Sequence, residues 1–121
     1  MPRNMSFALT VDSMQQRIKT VTRRQGWLFL KPNDKIQPVV KAMGLKKGEK
    51  IERIGGLIEV INIRRERINL ITLEEVIREG FFYLTPDEFI EMYCDANRCN
   101  PWDECTRIEF KYLDNFEKND L

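Results

Sequence analysis

Two helix starts, each written out with its capping residues and set among β-branched segments, constrain the fold more than any other feature. Thr72-x-x-Glu75 and Thr85-Pro86-x-Glu88 each place a hydroxyl to accept the third helical N–H and a carboxylate to return the bond. Ile71 with Val76, and Leu84 with Phe89, occupy the staple positions on either side of these caps. Pro86 sits at the first helical position, where no intrahelical donor is needed. Gly80 supplies the stop for the first helix, and the second is expected to run to residue 95. Both starts are acidic, which complements the positive end of a helix dipole and accounts structurally for most of Glu74, Glu75, Asp87 and Glu88.

Strand signals flank these helices. Thr106, Ile108, Phe110 and Tyr112 alternate with Arg107, Glu109 and Lys111, predicting a half-buried closing strand over 105–113. Residues 57–63 read as a strand buried on both faces, bent into place by Gly55-Gly56 and ended by Arg64, Arg65 and Arg67. Residues 35–40 read as another, and Pro38 within it points to an edge or a bulge because proline donates no ladder hydrogen bond. Residues 19–24 and 6–9 complete the set. Between those two, Thr10 offers an N-cap, and Val11, Met14 and Ile18 recur at helical spacing over 11–18. The order implies an α+β domain with a curled or closed mixed sheet and short flanking helices.

A chain of 121 residues, 42% apolar and 32% charged, suits one domain with one modest core, here residues 1–113 followed by a polar tail, 114–121. Seven Phe, three Tyr and two Trp supply enough bulk for that core without disulfides. Cys94, Cys99 and Cys105 are odd in number and lack a Cys-x-x-Cys pair, and there is no histidine, so free thiols are expected and neither a metal nor another cofactor is. The lack of histidine also removes every Ser/His and Cys/His catalytic pair, leaving Lys, Glu, Asp, Tyr, Thr or Ser for any chemistry. No stretch approaches the ~20 apolar residues of a membrane span, and a cytoplasmic protein is expected.

Charge is segregated along the chain. Residues 1–72 hold fifteen Lys/Arg against six Asp/Glu, and residues 73–121 hold five against thirteen. Two outcomes are open: a basic face built by the first half, as in proteins that meet phosphates, or mutual neutralisation across the fold.

The string Lys19-Thr20-Val21-Thr22-Arg23-Arg24, following the first helix, resembles the signature of the ASCH domain family, a branch of the PUA-like superfamily. The resemblance continues through Lys31-Pro32-Asn33-Asp34, Lys41-x-Met43-Gly44-Leu45-Lys46-Lys47-Gly48-Glu49, Glu79-Gly80 and Thr106-Arg107-Ile108-Glu109-Phe110, and spans residues 7–113. It implies a PUA-like β-barrel with a cleft between sheet and helices that holds RNA or a modified nucleobase. Family members that hydrolyse N4-acetylcytidine use a Lys, a Thr and a Glu, which correspond here to Lys19, Thr22 and Glu79, with Glu75 as the competing carboxylate.

Three functions follow from these readings. In the first, the domain binds RNA or a modified nucleobase through Lys19, Arg23, Arg24, Lys46, Lys47, Arg64 and Arg65, with Trp27 or Trp102 as stacking surface; Trp27 serves equally well as core. In the second, a desolvated Lys19 takes a proton from Thr22, whose oxygen attacks an amide, and Glu79 orients the lysine. Strict strand alternation would put Lys19 and Thr22 on opposite faces, so this requires a bend near Thr20. In the third, the acidic helices bind a protein partner.

Overall fold

The structure, a computed structural model, describes residues 2–113; the predicted tail over 114–121 lies outside them. Five strands, β1 (Arg3–Ser6), β2 (Val21–Arg24), β3 (Lys35–Val39), β4 (Ile58–Arg67) and β5 (Glu104–Tyr112), form one mixed sheet in the order β1-β3-β4-β5-β2. The β1–β3 pair is parallel and the others are antiparallel. β1 and β2 are its two edges among the described residues, so the α+β architecture stands while the ladder is open rather than closed into a barrel.

The helices are α1 (Val11–Gln15), α2 (Leu73–Arg78) and α3 (Pro86–Asn97), with 3-10 turns at Ala8–Thr10 and Ile68–Leu70. Both predicted caps form. Thr85 and Glu88 make the full reciprocal box, and Gly80, at φ 93°, stops the turn after α2. At α2 only half of the box forms: Thr72 accepts from the Glu75 N–H, while the Glu75 carboxylate turns to the arginines described below. None of these helices is long and apolar enough to cross a membrane.

Several boundaries differ from the sequence reading. The first strand lies earlier than 6–9, and α1 stops at Gln15 because Arg17 turns to φ 60°, leaving Ile18 exposed. Arg64, Arg65 and Arg67 do not end β4; they continue it, paired with β5 down to Arg67–Glu104. Nor is that strand buried on both faces, since a bulge between Val60 and Asn62 leaves Ile61 exposed. Pro38 lies in the second strand of the order, not at an edge. Its missing donor is tolerated because β3–β4 pairing ends at Ile36–Ile58, and its carbonyl accepts from the Ile54 N–H instead.

The interior divides into two apolar clusters rather than the single core expected. One gathers Met5, Phe7, Met14, Ile36, Ile58 and Phe110; the other packs Ile68, Ile71, Val76, Phe81, Phe89 and Tyr93 around α2 and α3. β5 contributes to both, through Phe110 and Ile108 at one end and Cys105 at the other.

Candidate functional site

A layer of buried polar side chains lies where the two clusters meet. Lys19 sits just before β2, fixed by its neighbours: the Thr20 N–H donates to the Arg78 carbonyl, and the Tyr112 hydroxyl donates to the Lys19 carbonyl at 2.6 Å. The ladder with β5 takes in Val21 to Arg24, and the Phe110 N–H donates to the Thr20 carbonyl just ahead of it. Lys19 lies before this paired stretch, and both it and Thr22 line one cavity.

The cavity, about 240 Å³, is walled by Lys19, Thr22, Arg24 and Glu79 together with aromatic rings from both clusters, notably Phe7, Phe81 and Tyr93. Its size falls below the usual range for drug-sized ligands and suits a single small group, one ring rather than a folded strand. Lys19 and Glu79 are 2% and 3% exposed, so their pairing is made away from bulk water. Lys19 Nζ donates to Glu79 Oε1 at 2.8 Å and to the Glu79 carbonyl at 2.6 Å. Burial pushes the Lys19 pKa below its ordinary value of 10.5, and the nearby Glu79 carboxylate only partly restores it. The ammonium also lies 5.5 Å from the centre of the Phe81 ring, which favours a cation there.

Thr22 Oγ1 accepts from Arg24 Nε at 3.0 Å, and the Arg24 guanidinium lies over the Phe7 ring at 4.6 Å. Burial lowers the Arg24 pKa to about 10, which leaves it a cation at neutral pH. A cationic N–H on a hydroxyl oxygen stabilises negative charge as that hydroxyl gives up its proton.

Arg23 also lines the cavity, and from it an ion network runs inward. Arg23 donates to Glu79 Oε2 at 3.2 Å, to Glu66 Oε2 at 2.7 Å and to Glu75 Oε1 at 2.9 Å. Arg107 donates to both Glu75 oxygens, at 2.6 and 3.0 Å. Those hydrogen bonds from Arg107, joined by Arg23, hold the Glu75 carboxyl down at about 2. The competition between Glu75 and Glu79 is thereby resolved in space: Glu79 faces Lys19, and Glu75 serves the network.

The remaining candidates separate. The Arg23 side chain is fully buried in carboxylates, so it cannot reach a phosphate as the first reading required. Arg64 pairs with Glu66, and Arg65 donates to Thr106 on β5. Lys46 and Lys47 are exposed on the loop after β3, away from the cavity walls. Trp27 is half-buried at φ 54° beside Phe29, and Trp102 is exposed as anticipated. The segregated charges therefore cancel in part, because Lys19 and Arg23 from the first half meet Glu75 and Glu79 from the second.

The cavity aromatics Phe7, Phe81 and Tyr93, and the Arg107–Glu75 pair, were not singled out as site residues by sequence. The one signal pointing to the pair was the second purpose available to Glu75, which a capping motif conceals. Among the described residues no group of His, Cys, Asp and Glu is arranged to hold a metal ion.

No family model matches the chain, and no curated protein matches it in sequence. Solved structures do match in shape. A DUF984 protein from Enterococcus faecalis V583 is similar with a TM-score of 0.64 at 15% identity, over 100% of this chain and 82% of that one. The ASCH domain from Lactobacillus crispatus JV V101 is similar with a TM-score of 0.56 at 14% identity, over 90% of this chain and 77% of that one. The ASCH resemblance noted in the sequence thus holds at the level of the fold.

Proposed function

We propose that the cavity takes one modified pyrimidine base and that Lys19, Thr22 and Glu79 hydrolyse its exocyclic amide, with an N4-acylated cytidine as the substrate class. The observation that carries this reading is the meeting of Lys19, Thr22 and Glu79 at a single small cavity, with the lysine desolvated and held by the glutamate. The cleft of a PUA-like domain, lying between sheet and helices, is part of the same reading, and the aromatic walls suit the faces of a base.

The chemistry balances without a cofactor. Burial favours the neutral form of Lys19, and in that form its amine takes the Thr22 hydroxyl proton as Oγ1 attacks the acyl carbon, while the Arg24 Nε–H steadies the charge on that oxygen. The tetrahedral intermediate collapses, the C–N bond breaks, and the leaving amine collects the proton from the Lys19 ammonium. Water, deprotonated by Lys19 in its turn, then attacks the Thr22 ester, the C–Oγ1 bond breaks to release a carboxylic acid, and the Lys19 ammonium returns its proton to Thr22 Oγ1. Glu79 keeps the lysine aimed through both steps.

A non-hydrolytic reader of RNA is the second reading, and the exposed Lys46 and Lys47 favour it. Thr22→Val separates the two. It removes the nucleophile at almost constant volume, so hydrolysis ends while base binding persists; a reader is indifferent in both respects.

A further inference from the structure

A second depression adjoins the cavity and shares Ser6 and Arg24 with it. It is larger, about 560 Å³, and its other walls include Arg3 and Asn4 from β1, Trp27, and Lys41 from the loop after β3. We infer that this groove binds the sugar-phosphate backbone and a neighbouring base of a single-stranded oligonucleotide whose target base enters the cavity, so that the substrate is a base within a strand rather than a free nucleoside. The inference deepens the function proposed above and rests on the cavity accepting a base.

Three observations support it. First, cations from three separate parts of the chain, Arg3, Arg24 and Lys41, converge on a groove with no carboxylate in its wall. Elsewhere the balance is different: Lys19, Arg23, Arg78 and Arg107 are all matched to glutamates. Lys41 meets Glu49 only at 3.4 Å, with both side chains well exposed, a pairing that a phosphate readily displaces. Arg3 lies over the Phe29 ring at 4.4 Å, a contact that orients its guanidinium without using up its charge.

Second, Trp27 sits in this wall, half-buried and braced 5.5 Å from Phe29. An aromatic face beside a row of cations is the arrangement that single strands use, stacking for the bases and charge for the backbone. Third, Arg24 bridges the two spaces: it lines both, and its Nε donates to Thr22. A backbone held by Arg24 would thus set the base beside the nucleophile.

The test compares N4-acetylcytidine as a free nucleoside with a short oligoribonucleotide carrying one N4-acetylcytidine at its centre, for wild type and for Arg3→Glu/Lys41→Glu. The wild type is expected to bind the oligonucleotide more tightly than the nucleoside. Two phosphate contacts would make that binding roughly sevenfold weaker between about 50 mM and about 200 mM salt. The double variant, which keeps Arg24, is expected to lose most of the advantage and the share of the salt dependence owed to those two contacts, with nucleoside turnover unchanged. Should charge reversal disturb the edge strand, Arg3→Gln/Lys41→Gln gives the same direction more gently. An oligonucleotide bound no better than the nucleoside, or bound equally by the double variant, overturns the groove while leaving hydrolysis of the nucleoside intact. An advantage that the double variant removes, without turnover of either compound, keeps the groove and sinks the hydrolase.

Discussion

Lys19 Nζ lies 2.8 Å from a carboxylate oxygen of Glu79 and 2.6 Å from the backbone carbonyl of that same residue, sixty positions along the chain. One residue thus provides both acceptors for a buried ammonium, and it does so from the turn that ends α2. Positioning by the fold and tuning of the lysine are the same contact.

Removing either partner should be felt in stability. Lys19→Met strands the Glu79 carboxylate with only Arg23 at 3.2 Å. The expected loss is at the low end of the about 3–5 kcal/mol typical of a broken buried pair, read as a lower urea midpoint at constant slope. Glu79→Gln should act on the lysine instead. Burial remains while the charge that opposes it disappears, so the Lys19 pKa is expected to fall further, as 15N NMR titration of Nζ would report. An unchanged Lys19 titration in Glu79→Gln contradicts the coupling.

The Arg107–Glu75 contact sets an acid limit. The Glu75 carboxyl titrates at about 2 in the folded protein against 4.5 ordinarily. The unfolded chain therefore binds the extra proton first, and the stability from this group, fully present above 4.5, is lost as pH falls toward 2. Thermal midpoints should drop across that window, and Glu75→Gln should flatten the drop. A variant with the wild-type profile would mean that other carboxylates set the limit.

Gly80 carries the turn that aims Glu79, and no other residue fits it. Its φ of 93° is strained for any side chain, and an added Cβ would come within 2.8 Å of Cβ and Oγ of Ser13, whose hydroxyl donates to the Gly80 carbonyl. Gly80→Ala is expected to cost about 1–3 kcal/mol. It should also loosen the Lys19–Glu79 contact, visible as an altered Lys19 titration. A variant as stable as the wild type would show that the turn has slack.

Much of this was legible in the chain. The capping residues placed α2 and α3, and the alternation from Thr106 to Tyr112 placed β5, because caps and strand periodicity are local and act within a few residues. That Lys19, Thr22 and Glu79 share one cavity agrees with the family signature they resemble, and their role is the proposal made above. The limits of β4 were not: an arginine reads as the end of an apolar strand, yet Arg64, Arg65 and Arg67 extend it because β5 offers a continuous partner. The fate of Arg23 was equally hidden. A cation beside another looks like a phosphate contact until Glu66, Glu75 and Glu79, drawn from distant segments, close around it.

The most direct measurement follows release of acetate and cytidine from N4-acetylcytidine by wild type, Lys19→Ala and Thr22→Val. The wild type is expected to turn over. Each variant should lose on the order of 10²–10⁴-fold in rate, the worth of a positioned base or of the nucleophile it serves, with Thr22→Val still binding substrate. A wild type that binds the nucleoside without product, or a Thr22→Val protein as fast as the wild type, contradicts the hydrolytic assignment.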